Sequence, residues 1–465
     1  MISIPQKLPL KEAIQKAHQL CESGQMDACR QLCKQIQQVS PNRPRILHLL
    51  ALLDHYEGKH ELALENIQTA IQISSEILEF HNTSGLIYMA LGKPVEANRS
   101  FVRAYELLKD KRTHPELGKI YSNIANSLNV QGKYEEAIAF HKHALSINEQ
   151  DPFALWNLAN IYLLHGQFEQ GWKGYEYRFL IRPRNKQGES VNHNIPKWNG
   201  KFLGGKRLLI HDEQGFGDTI QFSRYLPKIA EFDGEVVFET RLPLAGLFKD
   251  IPGVSKVCLK RDLIYKQMNF DYHIHLCSLP GIFSTTLKNI PDKTDFLYIN
   301  PERIAFWAQK IPTGKFRVGL VWTGNLRNIM LRHRSCNLKE LEPMLTVSGV
   351  TFVGLQKGEK LGDVNELPTS IKFTNLGDQF DDFSDTAAVI SQLDLIITID
   401  TAVAHLAATM GKPVWLLLSY PPDFRWLLER EDSPWYPDMR IFRQTEHGKW
   451  GPVIKRITEA LRNLD

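Results

Sequence analysis

Three short stretches of this sequence carry residue types and spacings suited to chemistry. The first is Asp212-Glu213-Gln214-Gly215-Phe216-Gly217-Asp218, three carboxylates around two glycines where an apolar run gives way to a helical pattern. A tight glycine turn can project a carboxylate toward a bound substrate, so Asp218 is a candidate general base, with Glu213 the second catalytic candidate. Aspartate is equally suited to capping a helix at this position, and both readings stand. The second stretch, Asp400-Thr401-Ala402-Val403-Ala404-His405, opens a helix directly after an apolar run. The free N–H groups and positive dipole end of such a helix suit a phosphate, although Asp400 or Thr401 could simply cap it. The third runs from Thr323-Gly324-Asn325 to Arg327, Arg332, His333 and Arg334. It supplies the guanidinium groups a diphosphate needs, and as a bare charge cluster it also suits a solvated turn.

Other arrangements limit the chemistry. Gly215-x-Gly217 lacks the third glycine of a dinucleotide fingerprint, which disfavours an NAD-dependent oxidoreductase. No Asp-x-Asp pair occurs anywhere in the chain, so no metal cofactor is expected, and arginine, lysine and backbone N–H groups would neutralise a diphosphate. His273-x-His275-x-Cys277 places three ligand types on one strand face without a fourth partner, which disfavours zinc. The six cysteines include no CxxC pair, and Cys29 and Cys33 are spaced for one buried helix face. They read as small buried thiols in a reducing compartment.

Positioning these residues requires strands that end where helices begin. Apolar runs at 207–211, 235–240, 272–276, 317–323, 351–356, 395–400 and 414–418 read as strands. Helical patterns at 219–230, 338–345, 384–393 and 401–410 fall between or after them. Such alternation predicts parallel sheets covered by helices, here an α/β pair of Rossmann-like halves over 206–305 and 306–465. Ligands bind at the carboxyl ends of such strands, which selects the loops 212–218, 324–335, 356–360 and 400–405. The preceding stretch, 181–205, is rich in Pro, Asn and Gly and reads as a linker.

Residues 1–180 follow a different rule. Glycine recurs at Gly24, Gly58, Gly92, Gly132 and Gly166, with spacings of 34, 34, 40 and 34. Seven residues earlier stand Ala17, Ala51, Gly85, Ala125 and Ala159, and five residues later Cys29, Ala63, Ala97, Ala137 and Gly171. Paired helices turning at a glycine approach closely only where side chains are small, so about five repeats of an all-α solenoid are expected. The longer spacing implies a lengthened turn around 109–115. A solenoid face suits a protein or peptide partner, or it serves only as support or a dimer contact.

Composition adds exclusions. A net charge of +4 is small against 56 basic and 52 acidic residues, so no nucleic-acid partner is implied. No apolar run reaches the length of a transmembrane segment, and the first residues lack a signal-peptide pattern, so a cytoplasmic location is expected.

The repeat register resembles the tetratricopeptide repeat over residues 10–178, as in Gly132-Lys133-Tyr134-Glu135-Glu136-Ala137 and Ala154-Leu155-Trp156-Asn157-Leu158-Ala159. The remainder resembles the heptosyltransferase-type glycosyltransferases of family 9, which have the two-Rossmann GT-B architecture. The matching stretches include Pro196–Gly200, Glu213–Phe222, Val318–Asn325, residues 348–358 and 394–413, Asp423-Phe424-Arg425-Trp426 and Asp432–Pro437. Nearly the whole chain resembles bacterial fusions of the two. That resemblance implies inverting transfer from a nucleotide-sugar donor, used as substrate, to a protein, glycan or lipid-linked acceptor. It implies Asp218 as base, Asp400, Thr401, Ala402 and His405 around the donor diphosphate, and Gln356 and Lys357 near the nucleoside. Thr323, Asn325, Arg332 and Arg334 complete the expected donor site. Leu331 departs from the family pattern, which has an acidic residue before the arginine at 332. A scaffold with a degenerate transferase domain is the alternative that this departure keeps open.

Overall fold

The structure, a computed structural model, describes residues 9–108, 114–181, 195–260, 262, 268–292, 296–326, 333–358 and 360–464. Most of the 109–115 turn, most of the linker stretch, Leu331 and the arginines at 327 and 332 lie outside those residues. The chain divides into two compact units, 1–158 and 159–465.

The first unit is a helical repeat array. Its helices are α1 (Leu10–Glu22), α2 (Met26–Val39), α3 (Pro44–Tyr56), α4 (His60–Ile73), α5 (Leu78–Ala90), α6 (Pro94–Glu106), α7 (Leu117–Val130) and α8 (Tyr134–Ile147). The boundary between units falls inside α9 (Pro152–Leu164), and α10 (Phe168–Tyr175) belongs to the second. Each expected glycine turns a helix pair with φ between +70° and +78°, a conformation glycine adopts without a Cβ clash. The small residues are needed where helices meet: Ala17, Cys29, Ala51, Ala63, Ala97 and Ala137 are fully buried. At Gly85, in the middle of α5, an added Cβ would overlap the Phe101 ring of α6. Alanine usually stabilises a helix interior over glycine by about 0.5–1 kcal/mol. Here Gly85→Ala is expected to reverse that sign, lowering stability by about 1–3 kcal/mol through overpacking. Hydrogen exchange of the α5–α6 amides measures it, and faster opening than in the parent is the expected result.

In the second unit two parallel sheets follow the last repeat helices. The first, in order β3-β2-β1-β4, contains β1 (Arg207–His211), β2 (Glu235–Thr240), β3 (Lys256–Leu259) and β4 (Tyr272–His275). The second has the order β10-β11-β9-β8-β5-β6-β7. Its strands are β5 (Phe316–Val321), β6 (Val350–Gly354), β7 (Thr374–Asn375), β8 (Leu395–Ile399), β9 (Val414–Leu418), β10 (Asp432–Ser433) and β11 (Tyr436–Arg443). Only the β10–β11 pair is antiparallel. In both sheets the order reverses beside the first strand, between β1 and β4 and between β5 and β8, where a ligand crevice forms. The fully buried β8 supplies the middle of the second core, with Val318, Leu320, Trp322 and Phe442 packed around it.

All seven expected strands are present. Four others were not expected: β3, β7 and β10 are only two to four residues long, and β11 passes through Pro437 and Asp438 and alternates irregularly between buried and exposed. The helix expected over 219–230 is broken after α11 (Phe216–Phe222) into short helical turns around Pro227. Among the described residues, no helix is long and apolar enough to cross a membrane.

Candidate functional site

The 212–218 turn is fixed from beneath. Buried Asp212 accepts from Arg241 Nε at 2.8 Å and pairs with Lys260 Nζ at 2.9 Å. Arg241 then donates to the carbonyls of Gln214 (2.9 Å) and Gly215 (3.2 Å) and to Thr219 Oγ1 (2.9 Å). Gln214 takes a left-handed conformation (φ 60°), and its amide donates to Tyr175 Oη at 2.7 Å. At the start of α11, Asp218 Oδ2 accepts from the Gly215 N–H at 2.7 Å, so this oxygen caps the helix. The other oxygen, Oδ1, forms an ion pair with Arg425.

The facing loop comes from the second sheet. Thr401 precedes α14 (Ala402–Thr409) with extended backbone, and its side chain caps none of the helix N–H groups. (The helices α12, Pro301–Ala308, and α13, Phe383–Ile390, come before it in the chain.) A Cβ at Gly217 would lie 2.8 Å from His405 Cδ2 and 3.4 Å from Ala402 Cα. Glycine at 217 is therefore what lets α11 and α14 meet end to end, and it sets Asp218 beside the α14 N-terminus. The buried Thr323 hydroxyl has no hydrogen-bond partner among the described residues, and Gly324 adjoins the Thr401 methyl.

Charges alternate across this meeting point. Arg425 pairs with Asp218 and, at 2.8 Å, with Asp423 Oδ1. Asp423 Oδ2 lies 3.3 Å from Arg334, whose other nitrogen is 2.7 Å from Asp400 Oδ2. The two guanidinium groups hold the Asp423 carboxyl well below the usual carboxylate range despite its burial. Asp400 in turn lies 3.9 Å from His405 Nε2, and His405 Nδ1 bonds the Tyr436 hydroxyl at 2.8 Å. The His405 ring stacks on Trp426, with centroids 5.3 Å apart.

Several expected catalytic and donor residues are engaged in building the site. Glu213 forms a two-pronged ion pair with buried Arg178 (2.6 and 3.0 Å) and accepts the Cys277 N–H at 3.1 Å. Gln356 is buried, and its side chain joins the backbone N–H groups of Trp322 (3.2 Å) and Thr323 (3.0 Å) and the Thr323 carbonyl (3.1 Å). The Lys357 ammonium donates to the Phe380 carbonyl. Asn325 follows Gly324 on the same loop, and Arg332 lies outside the described residues. Sequence reasoning assigned no role to Arg425, Asp423 or Arg178. Their decisive partners, Asp218, Arg334 and Glu213, stand 207, 89 and 35 residues away, and the only trace was the Asp423–Trp426 stretch among the family-like segments.

Comparison with known proteins agrees with this architecture. The tetratricopeptide repeat family matches residues 76–150, and glycosyltransferase family 9 (heptosyltransferase) matches residues 336–423. The repeat match falls within the helical array, and the family 9 match falls on the second sheet and its loops. The family 9 match takes in Gln356, Lys357 and Asp400 to His405, whereas Asp218 and Arg425 lie outside it. Protein FlbA of Caulobacter vibrioides is 29% identical over 454 residues, covering 89% of this chain and 74% of FlbA. A solved family 9 glycosyl transferase from Veillonella parvula is similar at 12% identity and a TM-score of 0.44, over 57% of this chain and 99% of that one. PilF of Pseudomonas aeruginosa is similar at 16% identity and a TM-score of 0.34, over 38% of this chain and 78% of that one.

The transferase domain also gathers His211, His273 and His275 at one end of its first sheet, with His211 Nδ1 2.9 Å from Glu239. Among the described residues, no group of three His, Cys, Asp or Glu is arranged to hold a metal ion. All six cysteines are free, and all but Cys21 are buried.

Burial and the nearby Arg425 push the His405 imidazole down to about 3, so it is neutral in the folded domain. Unfolding restores its ordinary value of about 6.5. Below that pH the unfolded chain takes up a proton that the folded chain takes only near 3, so stability is lost as pH falls through this window. His405→Gln should flatten the decline by up to about 1.4 kcal/mol per pH unit. His275, pushed down to about 2 in the same way, leaves a residual slope in the variant. Urea unfolding at a series of pH values between 7 and 4 reads the difference, and parallel curves for parent and variant would contradict it.

Proposed function

We propose that the transferase domain moves a sugar from a nucleotide-sugar donor to an acceptor hydroxyl with inversion and without a metal. The observation that carries this reading is the end-to-end meeting of α11 and α14, which sets Asp218 beside an uncapped helix N-terminus. The donor diphosphate lies at that N-terminus, against the N–H groups of Thr401 and Ala402, the Thr323 hydroxyl and Arg334. His405, uncharged, shapes this pocket under Trp426. Gln356 acts by fixing the Thr323 turn, and Asp400 by orienting Arg334. Lys357 and Asn325 border the nucleoside side of the same loops.

Asp218 takes the proton of the acceptor hydroxyl as its oxygen bonds to the anomeric carbon on the face opposite the leaving group. The bond from that carbon to the phosphate oxygen breaks, and its electron pair leaves with the diphosphate. Donors already aimed at the leaving phosphate lower the cost of the charge that develops there. Glu213, held by Arg178 and the Cys277 N–H, supports the turn rather than exchanging protons. The repeat array recruits a protein partner or acceptor.

The rival reading, a scaffold with a degenerate domain, draws on Leu331 and on the pairing of Asp218 with Arg425. A mass-spectrometric screen of nucleotide sugars against host lysate separates the two, because a scaffold transfers nothing. With the active donor identified, Asp218→Asn should lower kcat by about 10²–10⁴-fold without weakening donor binding. Unchanged turnover would remove Asp218 from the role.

A further inference from the structure

Arg425 holds Asp218 in a way that a general base could not use while the pair persists. Its guanidinium is buried and engaged at each nitrogen: Nε donates to Gln221 Oε1 at 2.5 Å, Nη1 to Asp423 and Nη2 to Asp218. Among the described residues, the two guanidinium groups of this ion-pair chain face three carboxylates. An incoming diphosphate adds further negative charge in a buried setting, where unpaired ions are costly. A diphosphate that engages an arginine of this chain displaces one of its carboxylates.

The contacts select which one. Asp423 is held by both arginines and by the Arg425 N–H, and Asp400 and Asp423 lie in the same half as the arginines. Asp218 alone comes from the other half, tied to Arg425 through a single oxygen. Arg425 is also next to Trp426, whose ring stacks on His405 in the first turns of α14. Its guanidinium thus stands beside the proposed diphosphate position.

We infer that Arg425 is a latch on the base: it binds Asp218 in the empty enzyme and exchanges it for the donor's diphosphate, which frees the Asp218 carboxylate. This rests on the transferase reading above and deepens it. The exchange makes binding ordered, donor before acceptor chemistry, and keeps Asp218 from acting before a leaving group is in place. In this role Arg425 is a positioning residue for Asp218.

The test is equilibrium binding of UDP, GDP, ADP and CMP, with the matching nucleosides, to the full chain and its variants. If Asp218 competes with the diphosphate, Asp218→Asn tightens the cognate nucleoside diphosphate by about tenfold or more, since a charge-assisted hydrogen bond no longer has to be broken. The nucleoside without phosphate should bind as before. The gain should persist at about 0.5 M salt, where a mere change in surface field is screened away. Arg425→Gln should weaken the diphosphate by a similar factor and abolish the gain from Asp218→Asn, with Arg425→Lys restoring part of each. Should the glutamine variant fail to fold, the salt and nucleoside comparisons in Asp218→Asn still decide. Diphosphate affinity unchanged or weakened in Asp218→Asn, or a gain lost at high salt, overturns the latch while leaving the transferase reading intact. Binding of none of the four nucleotides by the parent or by Asp218→Asn overturns both.

Discussion

Two guanidinium groups at the junction of the Rossmann-like halves, Arg425 buried and Arg334 half-buried, govern much of the surrounding structure. A buried arginine is tolerated only when carboxylates reach it with good geometry. Arg425 and Arg334 meet that condition through Asp218, Asp423 and Asp400, and the chain of contacts crosses from one half to the other. The 212–218 turn must therefore be rigid, which explains why Arg241 and Asp212 brace it from below. Gly217 has to be small for the same reason, because it brings the two helices within reach of one another. In the proposed reaction, the groups that join the halves are also those a phosphate would rearrange.

A second junction lies behind the first and is mostly apolar. Trp172 of α10 makes edge-on contacts with Phe222 from the first half and with Phe424 and Trp435 from the second, and its indole N–H donates to the Thr285 carbonyl at 3.1 Å. Arg178, a few residues on, ties Ser278 and Glu213 together. Such a cluster gains both from buried area and from ring geometry. It also accounts for the division of the chain inside α9 rather than in the 181–205 stretch: the last repeat helix has its burial partners in the transferase domain.

What the sequence made legible was the part governed by local rules. Periodic glycines and small residues announce a solenoid because helix spacing depends on side-chain volume at fixed offsets. Apolar runs announce β1, β5, β8 and β9 because central parallel strands are buried on both faces. Edge elements such as β7 and β10 are two residues long and carry no such signal. At the site, Asp218 and the Asp400–His405 turn stood out because strand-to-helix junctions with unusual residues are rare. Arg425 did not, because its meaning lies in a carboxylate 207 residues away. Glu213 and Gln356 looked like ligand contacts for the opposite reason: a polar side chain at a strand end reads the same whether it faces a substrate or holds up a neighbouring loop.

The placement of α10 has an evolutionary corollary. Gene fusions are usually pictured as joining finished modules at a linker, here the stretch that follows Arg178–Ile181. A recombination breakpoint there would strip Phe222, Phe424 and Trp435 of their covering indole and leave Glu213 without its guanidinium. Breakpoints within the upstream repeats cut only interfaces that every repeat can rebuild with its next copy. A change of repeat number upstream leaves those contacts in place, so long as α10 and Arg178 stay with the second unit.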